Sequence, residues 1–172
     1  MTDENASPAL VIERIFDAPA GLIWQMWTRP EHFKSWYGPE SAAIPVAKLD
    51  VRVGGTRFVC LEVPSPNGPV RMWFTGEHKQ VVDNQRLVYT ESISDEHGNI
   101  QPPSDTPAPG SHPITTEVHV ELHDLGGRTK MVLTHVGIPE DSPGAIGWAM
   151  ALDKLAAHAE TQPPIVPITA HP

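Results

Sequence analysis

Histidine, carboxylate and phenol are groups that move protons in catalytic sites, and three of them stand on stretches that otherwise read as apolar. His135 shares the face of an alternating segment with Met131 and Leu133. A histidine there either caps a backbone group in the core or lines a cavity as a polar contact. Glu91 alternates with Leu87, Tyr89 and Ile93, while Val88, Thr90 and Ser92 take the other face. That pattern leaves open which face is inward. His135, Glu91 and Tyr89 are the candidates for general acid–base catalysis, provided that two of them converge on one open volume.

Metal chemistry finds less support. His119 and His123 share a strand face with Glu117 and Glu121, but they lie about 13 Å apart along it. One ion cannot take both side chains, and that face reads as solvated. No His-Glu-x-x-His run or cysteine pair occurs, so neither a metal nor another cofactor is expected. Cys60 is the one cysteine, which rules out an intrachain disulfide. With Phe58 on its own face and no hydrolase signature around it, it reads as a small buried hydrophobe. The Gly54-Gly55 pair serves backbone geometry, since no helix follows it to hold a phosphate.

A binding cavity is the further possibility. Five tryptophans, with Met26, Met72, Met131 and Met150, supply a large and adaptable apolar lining. Trp24, Trp27, Trp36, Trp148 and Leu152 come from helical segments. Phe58, Met72, Phe74, Tyr89, Met131, Leu133 and His135 come from strands. Together these are the expected walls.

The elements that must position these residues follow from pattern. Leu10–Asp17 is rich in β-branched and aromatic residues and reads as a strand. After Pro19, Ile23 and Trp27 share a helical face. Thr28 with Glu31 forms a capping-box signature, and Pro30 suits a first turn, so a second short helix is expected over about Pro30–Ser35. Six strands follow: Ala43–Leu49, Gly55–Val63, Val70–Val82, Arg86–Ser94, Ile114–His123 and Thr129–Val136. Short turn-rich links favour antiparallel pairing. Val118, Val120 and Leu122 alternate cleanly and mark the core face. Ser142 and Pro143 open a final helix running to about His158, with Trp148, Ala151, Leu152 and Leu155 as its apolar stripe. The class is α+β: a curved antiparallel sheet of about seven strands covered by the one long helix.

The chain has 172 residues, fitting one domain that buries roughly 70% of its unfolded surface. A domain over residues 9–159 is expected, flanked by a loose arm at 1–8 and a proline-rich tail at 160–172, where Ile165, Val166 and Ile168 could dock. Gly98–Pro113 carries five prolines and reads as a mobile loop. The net charge of −9 argues against a nucleic-acid partner. No apolar run approaches the ~20 residues of a membrane span. The polar, acidic first residues lack a signal-peptide plan, so a cytoplasmic location is expected.

Phe16-Asp17-Ala18-Pro19, Ile23-Trp24, Trp36-Tyr37-Gly38-Pro39, Val53-Gly54-Gly55, Phe74-Thr75-Gly76, Arg86-Leu87-Val88-Tyr89-Thr90, Leu133-Thr134-His135 and Gly147-Trp148 occur in that order. In this ordered set the chain resembles homologues of the C-terminal domain of the activator of the 90-kDa heat-shock-protein ATPase, in the START-like, helix-grip (SRPBCC) superfamily. The resemblance implies seven antiparallel strands gripping the C-terminal helix, with a cavity between them. Because one fold hosts many functions, three readings follow. The first is binding of a small apolar or aromatic molecule, lipid-like or polyketide-like. The second is a cofactor-independent cyclase or hydrolase. The third is a regulatory module with a chaperone or other protein partner, as the family's name suggests.

Overall fold

The computed structural model describes residues 9–39, 41–101, 115–140 and 142–162. The expected arm, most of the proline-rich loop and the tail beyond Gln162 lie outside the described residues. The elements are β1 (Ala9–Phe16), α1 (Ala20–Thr28), α2 (Pro30–Phe33), β2 (Ala43–Leu49), β3 (Thr56–Val63), β4 (Val70–Val82), β5 (Arg86–Ser94), β6 (Thr115–Asp124), β7 (Thr129–Val136) and α3 (Pro143–Glu160). The seven strands form one antiparallel sheet in the order β1-β7-β6-β5-β4-β3-β2. Strands β2 to β7 meander, and β1 closes onto β7. Register shifts between Ala43 and Val46 and between His78 and Gln80 add the local bend that lets the sheet curl.

Alternation decides the inner face. Val118, Val120 and Leu122 on β6 are buried beside Met131, Leu133 and His135 on β7. Val120 pairs across with Leu133 and Val118 with His135, so one cross-strand row follows another. On β5, Leu87, Tyr89 and Glu91 take this face, because Tyr89 stands opposite Val118. On α3, Trp148, Ala151, Leu152, Leu155 and Ala159 face the core, extending the expected stripe by a turn.

Local chemistry explains where the helices start and stop. Pro30 excludes the helical region for Arg29, which is extended at φ −101° and ψ 123°, and this breaks α1 from α2. The expected capping box does not form. Thr28 stays helical and its Oγ1 donates to the Trp24 carbonyl at 2.9 Å, leaving Arg29 as the cap. Ser142 does cap α3, but its hydroxyl donates to the Pro139 carbonyl at 2.6 Å rather than accepting from the helix. The Gly54-Gly55 turn is a backbone device: Gly54 has φ +85°, and a Cβ on Gly55 would fall 2.0 Å from the Asp50 carbonyl oxygen.

Two histidines make the fold acid-sensitive. His78 is buried on β4, and His158 at the end of α3 meets His32 of α2, with Nε2 and Nδ1 3.1 Å apart. Burial lowers the pKa of both below the ordinary 6.5, and the charge of His32 lowers that of His158 further. The unfolded chain therefore binds more protons below about pH 6.5, and stability falls as the pH drops from there. The urea midpoint is expected to be lower at pH 5.5 than at pH 7.5; equal midpoints would contradict this placement.

Candidate functional site

A cavity of about 170 Å³, partly open to solvent, lies between the sheet and the N-terminal half of α3. Its floor comes from Leu61 on β3, Glu91 on β5 and His135 on β7. One wall is the Tyr37-Gly38-Pro39 segment after α2, and the roof is Gly144, Gly147, Trp148 and Ala151 of α3. The segment after α2 is held in place twice. Gly38 takes φ +83° in close contact with Leu61, and Lys154 of α3 donates to the Pro39 carbonyl at 2.8 Å. The roof is open where α3 presents Gly147. A Cβ on Gly147 would meet nothing within 4 Å.

The polar end of the cavity is a charge cluster. Arg57 projects from β3 on the same face as Val59 and Leu61, 2% exposed. Its Nη1 donates to Glu91 Oε2 at 3.2 Å, and the Tyr37 hydroxyl donates to the same oxygen at 2.9 Å. The guanidinium stands over three rings, with its carbon 4.1 Å from the Tyr89 centroid, 5.2 Å from Phe33 and 5.5 Å from Tyr37. Rings and carboxylate together replace the water that the cation has lost. Burial pushes the Tyr37 phenol well above its ordinary range, the Glu91 charge adds to this, and Arg57 opposes it. Burial raises Tyr89 too, against Arg57. Burial alone would lower Arg57, but Tyr89, Tyr37 and Glu91 reverse the sign and leave it raised. The cluster is thus an ion pair with two neutral phenols.

His135 belongs to a second chain of hydrogen bonds. The Trp148 indole N–H donates to its Nδ1 at 2.9 Å. Since an indole can only donate, Nδ1 accepts and the ring proton sits on Nε2, which faces Thr116 Oγ1 at 2.9 Å. Thr116 in turn donates to the Glu91 carbonyl at 3.3 Å. This chain ties α3, β7, β6 and β5 together at the cavity's edge.

Of the residues singled out from sequence, Glu91, His135 and Trp148 line this cavity. Tyr89 does not; it lies beneath Arg57, which covers its ring. Trp24, Trp27, Trp36, Met131, Leu133 and Leu152 pack into the buried core instead. Trp36 is fully buried, its indole N–H bonded to the Met26 carbonyl at 2.8 Å, and Trp27 packs between Trp36 and Trp148. Met72 and Phe74 are partly buried opposite Leu61 and Val59. Phe58 alternates to the outer face and stacks on Trp73 at 5.4 Å, so it is no wall of this cavity. Cys60 is buried, which raises its thiol pKa. Among the described residues no cluster of three or more potential metal ligands occurs. His119 pairs with Glu117, and Glu121 with Arg86, on the solvated face. Tyr37, Arg57 and Thr116 were not among the sequence candidates. An arginine alternating with Val59 and Leu61 carries the same signal as Glu91 and marks the other half of the pair.

A bent antiparallel sheet closed on a C-terminal helix, with a cavity under the helix, defines the helix-grip, START-like class. The family described as "Activator of Hsp90 ATPase homolog 1-like protein" matches residues 17–160, and the chain belongs to it. The fold is similar to that of a Chromobacterium violaceum protein at TM-score 0.72, 22% identical, covering 90% of this chain and 98% of that one. It is similar to a Nitrosomonas europaea protein at TM-score 0.70, 21% identical, covering 92% and 98%. The AHSA1 protein of Silicibacter pomeroyi aligns at TM-score 0.69, 20% identical, covering 88% and 97%. No curated protein matches the sequence. Among the described residues no helix is long and apolar enough to cross a membrane.

Proposed function

We propose that the protein binds a small, ring-sized apolar molecule in the cavity beneath α3. The observation that carries this reading is the glycine over the space, Gly147. Gly147 stands inside α3, where a glycine costs about 1 kcal/mol relative to alanine. A methyl on Gly147 would clash with nothing, so packing does not demand a glycine there. The missing side chain keeps the volume open at the expense of helix stability. Size sets the ligand class: a 150 Å³ apolar cavity accepts benzene, and this one measures about 170 Å³. One aromatic ring fits within it, and a lipid chain or fused polyketide would reach out through its open side.

Binding is favoured over catalysis by the state of the polar groups. Glu91 and His135 share the cavity, but both ring nitrogens of His135 are engaged, by Trp148 and Thr116. No acid–base pair stands ready around a substrate. Titration with toluene should produce saturable NMR shifts at the Gly144 and Gly147 amides and the Trp148 indole N–H. Gly147→Leu, which fills the space and improves helix propensity, should abolish those shifts while leaving the melting temperature equal or higher. Absence of saturable shifts in the native protein would overturn the reading.

A further inference from the structure

From the geometry of Glu91 we infer that the cavity selects an uncharged ring bearing a hydrogen-bond donor, a phenol or aromatic alcohol, and excludes aromatic carboxylates. This rests on the proposed ring-binding function and specifies its chemistry. Glu91 is one of the cavity's lining residues, yet its two oxygens are not equivalent. Oε2 is held from behind by Arg57 Nη1 and the Tyr37 hydroxyl. Oε1 accepts no hydrogen bond from a described residue, and it is not among the solvent-shielded atoms that lack a partner. It is therefore the carboxylate oxygen left to be reached from the cavity side.

The other polar groups on the wall offer nothing comparable. The Trp148 N–H is committed to His135, and the Tyr37 hydroxyl proton to Glu91. Both ring nitrogens of His135 are engaged by Trp148 and Thr116, so among the described lining side chains Glu91 Oε1 is the acceptor left for a ligand donor. A bond from a neutral hydroxyl to a charged acceptor is of the stronger kind. A ligand carboxylate would bring only acceptors to Oε1, which itself only accepts, and would lose its hydration in a mostly apolar space. An ammonium group meets a carboxylate whose charge Arg57 already offsets, and it must shed a full hydration shell to enter.

Phenol, benzyl alcohol, toluene, benzylamine and benzoate can be titrated into the native protein, with shifts of the Gly147 amide and Trp148 indole followed by NMR. Phenol and benzyl alcohol should bind at least about 10-fold more tightly than toluene, corresponding to 1.4 kcal/mol. Benzylamine should bind more weakly than phenol, and benzoate should not compete. Glu91→Gln, which turns the acceptor position into an amide, should reduce the phenol-to-toluene affinity ratio to about threefold or less. If toluene and phenol bind natively within threefold of each other, or benzoate or benzylamine binds best, the donor assignment falls and the cavity reading stands. If no ring binds, both fall. Because the native ratios decide the matter, the outcome does not depend on the variant folding.

Discussion

Glu91→Leu is expected to lower the free energy of unfolding by about 3–5 kcal/mol, the scale for breaking a buried pair by removing one partner. The substitution leaves Arg57, 2% exposed, without its carboxylate, and the Tyr37 hydroxyl without its acceptor. A guanidinium cannot shed its charge within any accessible pH range. Its Nη2 has no hydrogen-bond partner among the described residues, so little compensation is at hand. The rings of Tyr89, Phe33 and Tyr37 give a cation–π contribution, but at about 2 kcal/mol when desolvated it does not replace an ion pair and a hydration shell. Arg57→Met should cost less, about 1–3 kcal/mol, because a carboxyl can neutralise itself by taking up a proton and keeps the Tyr37 hydrogen bond. The double variant Arg57→Met/Glu91→Leu should recover most of the loss, since an apolar replacement of a buried pair is often neutral. Urea midpoints at unchanged m-value measure all three. Additive losses in the double variant would show that the two side chains do not act as a pair.

The same pair shows what the sequence could and could not disclose. β6 was legible because its alternation is local: Val118, Val120 and Leu122 must share a face whatever lies opposite. The stripe on α3 was legible for the same reason, at period 3.6. The partnership of Arg57 with Glu91 is not local, since it requires the register that carries β3 past β4 to β5. Each residue was visible as a charge among apolar neighbours, but only pairing turns two anomalies into one structure. Tyr37 stands in the sequence only within the Trp36-Tyr37-Gly38-Pro39 motif, and its hydroxyl has a task that no periodicity encodes. The tryptophans were the harder case. Composition shows that indoles are plentiful but not whether they surround a space or fill it. Trp27 and Trp36 fill it, packed at 4.7 Å. Open space at the roof is left by the absent side chain of Gly147, which a search for large apolar residues passes over. The capping signature at Thr28 was overridden by backbone sterics, since Pro30 restricts Arg29 more firmly than Thr28 could cap it.

The protein's two tyrosines, Tyr37 and Tyr89, both lie in this cluster, so alkaline titration of its phenols reads the cluster alone. Burial raises both above the ordinary value of 10.0, and Glu91 adds to the rise. The folded state therefore holds its phenolic protons more tightly than the unfolded chain. That contribution to stability is whole below about pH 10 and is lost as the pH climbs beyond it. At pH 10, where a free phenol is half ionised, the native protein should show almost no tyrosinate absorbance. The band should then rise in one steep step, together with the loss of near-ultraviolet circular dichroism, because ionising either phenol requires the cluster to open. Tyr37→Phe should halve the amplitude and leave the step steep, since Tyr89 remains under Arg57. A gradual rise centred on pH 10 with the fold intact would mean that water reaches these hydroxyls. Glu91 would then be hydrated rather than held by Tyr37 and Arg57, and the acceptor assigned to the cavity would lose its anchor.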